Sequence, residues 1–203
     1  ALCESVLRAA GYPVARYTSP HLVRVHERYL LNGAPVEDAM LEAAARQGLD
    51  YPVDLFYEFA GTPTHKIVPL INERLGCSLD VEQTTDEKER LFLGMIHIVR
   101  PIEPVAGIVK AYHGRLPMSL GTGGTRDIAL MTVSAIGLEG YFSILVASED
   151  VERHKPHPDT FLECARLMGV RPERCQVFED GERGLEAARR AGMIATDVRT
   201  WYD

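Results

Sequence analysis

The sequence predicts an α/β fold, a doubly wound parallel sheet, and three observations predict it. From residue 105 onward, short apolar runs alternate with amphipathic helical stretches. Strands that alternate with helices run parallel and need helices on both faces. Several helical stretches close on a glycine, as residues 159–168 do at Gly169, which suits a left-handed helix cap. The apolar runs themselves stop at glycine, hydroxyl or acidic residues, and the carboxyl ends of parallel strands are where such folds hold ligands.

Taken in order, residues 1–10 have helical spacing and stop at Gly11. Residues 13–17 and 22–31, rich in Val, Leu and Tyr, read as extended, and Asn32-Gly33 is a turn signal. Residues 36–48 and 62–75 read as helices, the second started by Thr62-Pro63. Residues 84–99 read as a longer amphipathic helix, with Thr84-Thr85-Asp86-Glu87 resembling a capping box. The alternating part then gives a helix at 105–112, a strand at 116–122, a helix at 126–136 and a strand at 142–147. A helix at 159–168, a strand at 175–178, a helix at 182–191 and a last strand at 193–198 complete it.

A chain of 203 residues can bury one sizeable core, or one core and a small cap. Hydrophobic residues make up 46% and charged residues 25%, which fits a soluble globular protein. The formal net charge of −7 argues against nucleic acid or an anionic membrane as the main partner. No signal peptide and no membrane-spanning run is visible. Cys3, Cys77, Cys164 and Cys175 form no CxxC pair and read as reduced thiols of a cytoplasmic protein. The chain opens on Ala1-Leu2-Cys3 rather than on Met, which leaves room for an upstream segment.

Three strand ends carry chemistry. Gly121-Thr122-Gly123-Gly124 joins a hydroxyl to glycines, and such a turn can hold a phosphate through the side chain and backbone N–H groups. Lys155, before Pro156 and a helix start at Pro158-Asp159, is placed to neutralise a phosphoryl group. Glu179-Asp180 closes an apolar strand with two carboxylates, where a hard cation would bind through oxygen ligands. Each has a plain structural alternative: a glycine turn, an ordinary helix start, and Asp180 as the cap of the next helix. His154 and His157 read as solvated loop residues. The order of the three signals and their shared place at strand ends point to one site.

These stretches, GTGGT, HKPHPDTF and VFEDGERGLEAARRAGM, resemble the second, third and fourth motifs of the haloacid-dehalogenase superfamily. The likeness is strongest to its small-cap branch of β-phosphoglucomutases and sugar-phosphate phosphatases. It covers about residues 39–203 and implies a Rossmann-like core at 101–203 and a helical cap at 39–100. The resemblance also implies roles. Thr122 would bind the transferring phosphoryl group with help from the Gly123 backbone, and Lys155 would stabilise its charge. Glu179 and Asp180 would hold Mg²⁺, Asp180 the more directly. In the cap, residues 60–64 would form the substrate-facing loop, with Thr62 and Lys66 toward a small phosphorylated metabolite.

The superfamily's first motif, DxDGT, supplies an aspartate nucleophile and an aspartate general acid–base. No DxD occurs in the chain. The family's usual layout places that motif near residues 21–28, which read His21-Leu22-Val23-Arg24-Val25-His26-Glu27-Arg28. Arg24 there would face Glu179 and Asp180 and compensate their charge. Glu58-Phe59-Ala60-Gly61-Thr62 is a near-match, but its spacing to Thr122 fits the cap loop. Residues 1–38 instead resemble an internal piece of the folylpolyglutamate synthase family, most clearly at Thr18-Ser19-Pro20-His21-Leu22. The combined reading is a phosphatase-like chain acting on a small phosphorylated sugar, impaired by the loss of its nucleophile. The alternatives are a phosphate-ligand binding module or a ligase remnant.

Overall fold

The computed structural model describes residues 15–18, 29–31, 34–36, 39–50, 52, 55, 58–59 and 62–201. Strand β1 (Ala15–Thr18) is followed by an antiparallel pair, β2 (Tyr29–Leu31) and β3 (Ala34–Val36), with Leu31 opposite Ala34 across the Asn32-Gly33 step. Three helices come next: α1 (Ala39–Arg46), α2 (Thr64–Leu75) and α3 (Val81–Met95). They gather around an apolar cluster of their own, with Met40, Ala44, Phe59, Val68, Ile71 and Leu79 buried in it.

The rest alternates: α4 (Glu103–Tyr112), β4 (Met118–Gly121), α5 (Arg126–Ala135), β5 (Ile144–Val146), α6 (Asp159–Met168), β6 (Cys175–Glu179), α7 (Glu182–Arg190) and β7 (Ile194–Asp197). The strands form one parallel sheet in the order β5-β4-β1-β6-β7. Leu120 and Phe178 point into a cluster with Val105 and Val109 of α4 and Ala129 and Val133 of α5. Val146 and Val177 point the other way, against Phe161 and Cys164 of α6 and Ala187 and Ala188 of α7. Successive strand residues face opposite sides, so these two clusters are the two helix-covered faces of a doubly wound sheet. Among the described residues, no helix is long and apolar enough to cross a membrane.

Three expectations change. The central strand is Ala15–Thr18, before the 21–28 stretch expected from the family layout. That stretch, Arg24 included, lies outside the described residues. The strand is only four residues long and is fixed by its two neighbours rather than by a periodic apolar pattern of its own. Next, α3 begins at Val81 instead of Thr84. The Asp80 carboxylate caps it by accepting the Gln83 N–H at 2.7 Å, while Thr84 lies inside the helix, fully buried, with its hydroxyl donating to the Asp80 carbonyl at 2.5 Å. A good cap outweighs a capping-box pattern three residues on. Finally, α3 stops at Met95, ahead of the expected Val99.

The order of strands reverses at β1, with β4 and β5 on one side and β6 and β7 on the other. The crevice beyond the carboxyl ends at such a reversal is the favoured ligand site of an open α/β sheet. It lies between the ends of β4 and β6.

Candidate active site

The end of β4 delivers Thr122. Its N–H donates to the Val146 carbonyl at 2.8 Å, so the β4–β5 ladder continues one residue past the strand and fixes the side chain. Thr122 is buried, and its Oγ1 accepts the Gly124 N–H at 2.7 Å. A hydroxyl that accepts one bond still has its own hydrogen to donate. The Gly124 amide is therefore spent inside the turn, and the Gly123 N–H, which donates to no other described residue, is the backbone donor left for a ligand.

Lys155 sits in the loop between β5 and α6, behind a cis Lys155-Pro156 bond, and is only 1% exposed. Its Nζ donates to Glu179 Oε2 at 2.7 Å and stands 4.8 Å from the centre of the Phe161 ring. Glu179 Oε1 also accepts the N–H groups of Asp180 at 3.2 Å and Gly181 at 3.0 Å. Gly184, one turn into α7, makes room for this arrangement. A Cβ built there would lie 2.2 Å from Glu179 Oε2, inside contact distance of the oxygen that holds Lys155.

Asp180 follows Glu179 and is 5% exposed. Burial, and then the neighbouring Glu179 carboxyl, push it well above the usual carboxylate range. It does not cap α7, whose cap is Gly181 with no side-chain bond, so the plain alternative for Asp180 fails. Two buried carboxyls facing one ammonium form a donor set that fits a hard divalent cation. No group of three or more His, Cys, Asp or Glu able to hold a metal occurs among the described residues. Such an ion would complete its shell from water and ligand oxygens, as Mg²⁺ commonly does.

The sign of the Asp180 shift makes a prediction. Between the ordinary carboxylate pKa and the raised one, the folded chain holds a proton that the unfolded chain has lost. Stability therefore falls as pH rises through that window. Asp180→Asn is expected to melt higher than the parent at pH 8 and close to it at pH 4. Mg²⁺ should raise the parent's melting temperature and leave that of the variant unchanged. Melting curves at the two pH values, with and without Mg²⁺, check both statements.

Thr62 and Lys66, expected to face the substrate, lie just before α2 and in its first turn. Thr62 is half-buried, with its Oγ1 enclosed and bonded to no described residue. Lys66 is exposed in the first turn of α2. Beside it, the His65 ring meets the His154 ring edge-on at 6.2 Å between centres. This sets the start of α2 against the residue that precedes Lys155. His154 is thus no solvated loop residue. Burial lowers its pKa first, and the charges of His65 and Lys66 act the same way. His157 is exposed, as expected.

The structure therefore pairs Lys155 with Glu179 and sets Asp180 next to them, with Thr122 at the end of β4 two strands away in the sheet. Thr62 and Lys66 make no hydrogen bond or ion pair with any of these four. Sequence reasoning missed Gly184 and Arg183. The signal for Arg183 was available: a cation in the first turn of a helix opposes the helix dipole and asks for another partner. Its Nε donates to the Lys155 carbonyl at 3.3 Å.

With this geometry in view, comparison with known proteins is informative. Residues 35–198 match the haloacid dehalogenase-like hydrolase family. A fructose-1-phosphate phosphatase of Escherichia coli is 42% identical over 162 residues, 79% of this chain and 86% of that protein. A phosphorylated carbohydrates phosphatase of Thermotoga maritima is 29% identical, over 77% of this chain and 73% of that one. The crystal structure of a β-phosphoglucomutase from Clostridium difficile superposes with a TM-score of 0.73 over 91% of this chain and 84% of its own, at 19% identity.

Proposed function

Since the chain belongs to the haloacid dehalogenase-like hydrolases, we propose that it binds a small phosphorylated sugar at the β4–β6 crevice and hydrolyses it poorly. The observation that carries this reading is the buried Lys155 ammonium held by Glu179 beside Asp180. Phosphoryl transfer asks a protein mainly for position and charge stabilisation. Lys155 would meet the phosphoryl oxygens with a charge-assisted hydrogen bond, Thr122 with its hydroxyl and Gly123 with its N–H. Bound at Asp180 and Glu179, Mg²⁺ would supply further neutralisation of the phosphoryl charge. The cap at residues 39–100 would cover the sugar, with Thr62 and Lys66 toward it. The sugar-phosphate class is supported by the E. coli and T. maritima relatives, and the reduced thiols Cys77, Cys164 and Cys175 support a cytoplasmic setting.

The impairment rests on sequence and register. Thr18, the last residue of β1, stands opposite Leu120 of β4 and Phe178 of β6. Gly121 and Glu179 come next on the neighbours, and the chain itself continues Ser19-Pro20-His21. In the sequence that follows β1, residues 19–26 hold no aspartate or glutamate, the residue types that a covalent carboxylate nucleophile needs. Residues 1–38 accordingly read as a segment of ligase ancestry that brings a strand without the acids. The same observation favours a second reading, a phosphate-ligand binding module without turnover.

Calorimetry and a phosphate-release assay test the proposal on one panel of sugar phosphates, with and without Mg²⁺. The expected result is saturable, Mg²⁺-strengthened binding, with release slower by at least about 10³-fold than for the E. coli relative, the scale on which losing a catalytic nucleophile acts. A folded sample that binds neither inorganic phosphate nor any sugar phosphate overturns it.

A further inference from the structure

We infer that Arg183 reads a second anionic group, a phosphoryl or a carboxylate, on the distal part of the substrate, so that the site favours doubly anionic sugar phosphates. The inference rests on the phosphate-binding reading above. Arg183 lies in the first turn of α7, three residues after Asp180, and is half-buried. Its Nε bond to the Lys155 carbonyl ties it to the backbone of the loop that carries the phosphate-facing lysine. The neighbouring residue of that loop, His154, meets His65 of the cap, so this side of the loop faces the cap.

A guanidinium has five N–H donors in a planar fork suited to a carboxylate or phosphate. In Arg183 only the Nε donor is engaged by a described residue. Among the described residues, no carboxylate bonds the other four. Glu58, the acidic group whose field reaches it from the cap, is bonded to Arg74 at 2.9 Å. Arg190, two turns along the same face of α7, is held by Glu186 at 2.8 Å and reaches the Pro156 carbonyl at 3.4 Å. Arg183 thus differs from every other arginine of α7, Arg189 and Arg190 both being paired with glutamates. Burial holds its pKa below the usual value, with Glu58 opposing and Arg190 reinforcing that effect. A half-desolvated cation whose remaining donors bond no described residue, anchored to the phosphate loop and within the field of Glu58, fits the far end of a substrate whose near phosphate lies at Lys155.

Calorimetric titration of the parent, Arg183→Met and Arg183→Lys tests this with inorganic phosphate, a sugar monophosphate, a sugar bisphosphate and a phosphorylated sugar acid. The parent is expected to prefer at least one doubly anionic ligand over the monophosphate by about tenfold, the worth of one charge-assisted bond. Which of the two it prefers names the group. Arg183→Met should erase that preference while changing monophosphate affinity less than about twofold, and Arg183→Lys should restore part of it. Equal losses for the monophosphate and the doubly anionic ligands overturn the inference, because Arg183 would then act only by holding the Lys155 loop. So does a parent without the preference, even though its binding of monophosphate keeps the site reading intact. If the folded parent binds no phosphate at all, both readings fall.

Discussion

Lys155→Met is expected to weaken phosphate binding by about 10²-fold and to lower the melting temperature sharply. The first effect is the loss of a charge-assisted hydrogen bond to the phosphoryl oxygens, worth about 1.5–3 kcal/mol. The second has a different origin. Glu179 is 1% exposed, and Lys155 is the ammonium that meets it, at 2.7 Å. Taking one partner out of a buried ion pair costs about 3–5 kcal/mol, because the other charge stays in the interior. At about 2–4 °C per kcal/mol for a chain of this size, the drop is roughly 6–20 °C. The two effects separate in the double variant Lys155→Met with Glu179→Gln. A neutral amide at position 179 can still accept the Asp180 and Gly181 N–H groups, so most of the stability should return while phosphate affinity does not. Thermal melts and phosphate titrations on the single and double variants check this. A single variant that keeps its phosphate affinity would remove Lys155 from the site.

How much of this was legible in the sequence depends on the range over which each feature is fixed. From α4 to β7 the elements fall within about two residues of those expected from periodicity, since each is set by its own apolar spacing and its own stops. Gly169, with φ of 65°, closes α6 where a glycine was expected to. The cap start at Asp80 was missed because one capping carboxylate and a more familiar pattern at Thr84 lie within one turn of each other. The central strand was misplaced for a deeper reason. Residues 13–17 were expected to be extended, but what makes Ala15–Thr18 the central strand is pairing with residues more than a hundred positions away. Thr122 and the Glu179-Asp180 pair were visible as residue types at strand ends, whereas Lys155 lies nine residues past β5, ahead of α6. The pairing was not visible: 24 residues separate Lys155 from Glu179, and a loop and a helix bring the two together. Arg183 and Gly184 act through contacts that no local pattern announces, a carbonyl of another loop and the carboxylate beneath a missing Cβ.

Ser19→Asp combined with His21→Asp is expected to raise Mg²⁺-dependent phosphate release by at least about 10²-fold over the parent. The argument is one of register. β1 is the strand between β4 and β6, and Thr18 pairs with Leu120 on one side and Phe178 on the other. In sequence, Ser19 is the first residue after β1, so an aspartate there is the earliest acid the chain can offer beyond the central strand. An aspartate at 21 then completes an Asp-x-Asp spacing, one carboxylate to attack and one to move the proton. The proposed function assigns charge stabilisation to Thr122, Lys155 and the Glu179-Asp180 pair, so the gain should need Lys155 and vanish in a triple variant with Lys155→Met. Ser19→Asn with His21→Asn provides the control of equal size without charge, and should show no gain. A folded double-aspartate chain that binds sugar phosphate yet releases no more phosphate than its asparagine control would mean that the missing acids are not what limits this chain. The impairment would then lie in how residues 39–100 meet the crevice, where the His65 ring touches the His154 ring.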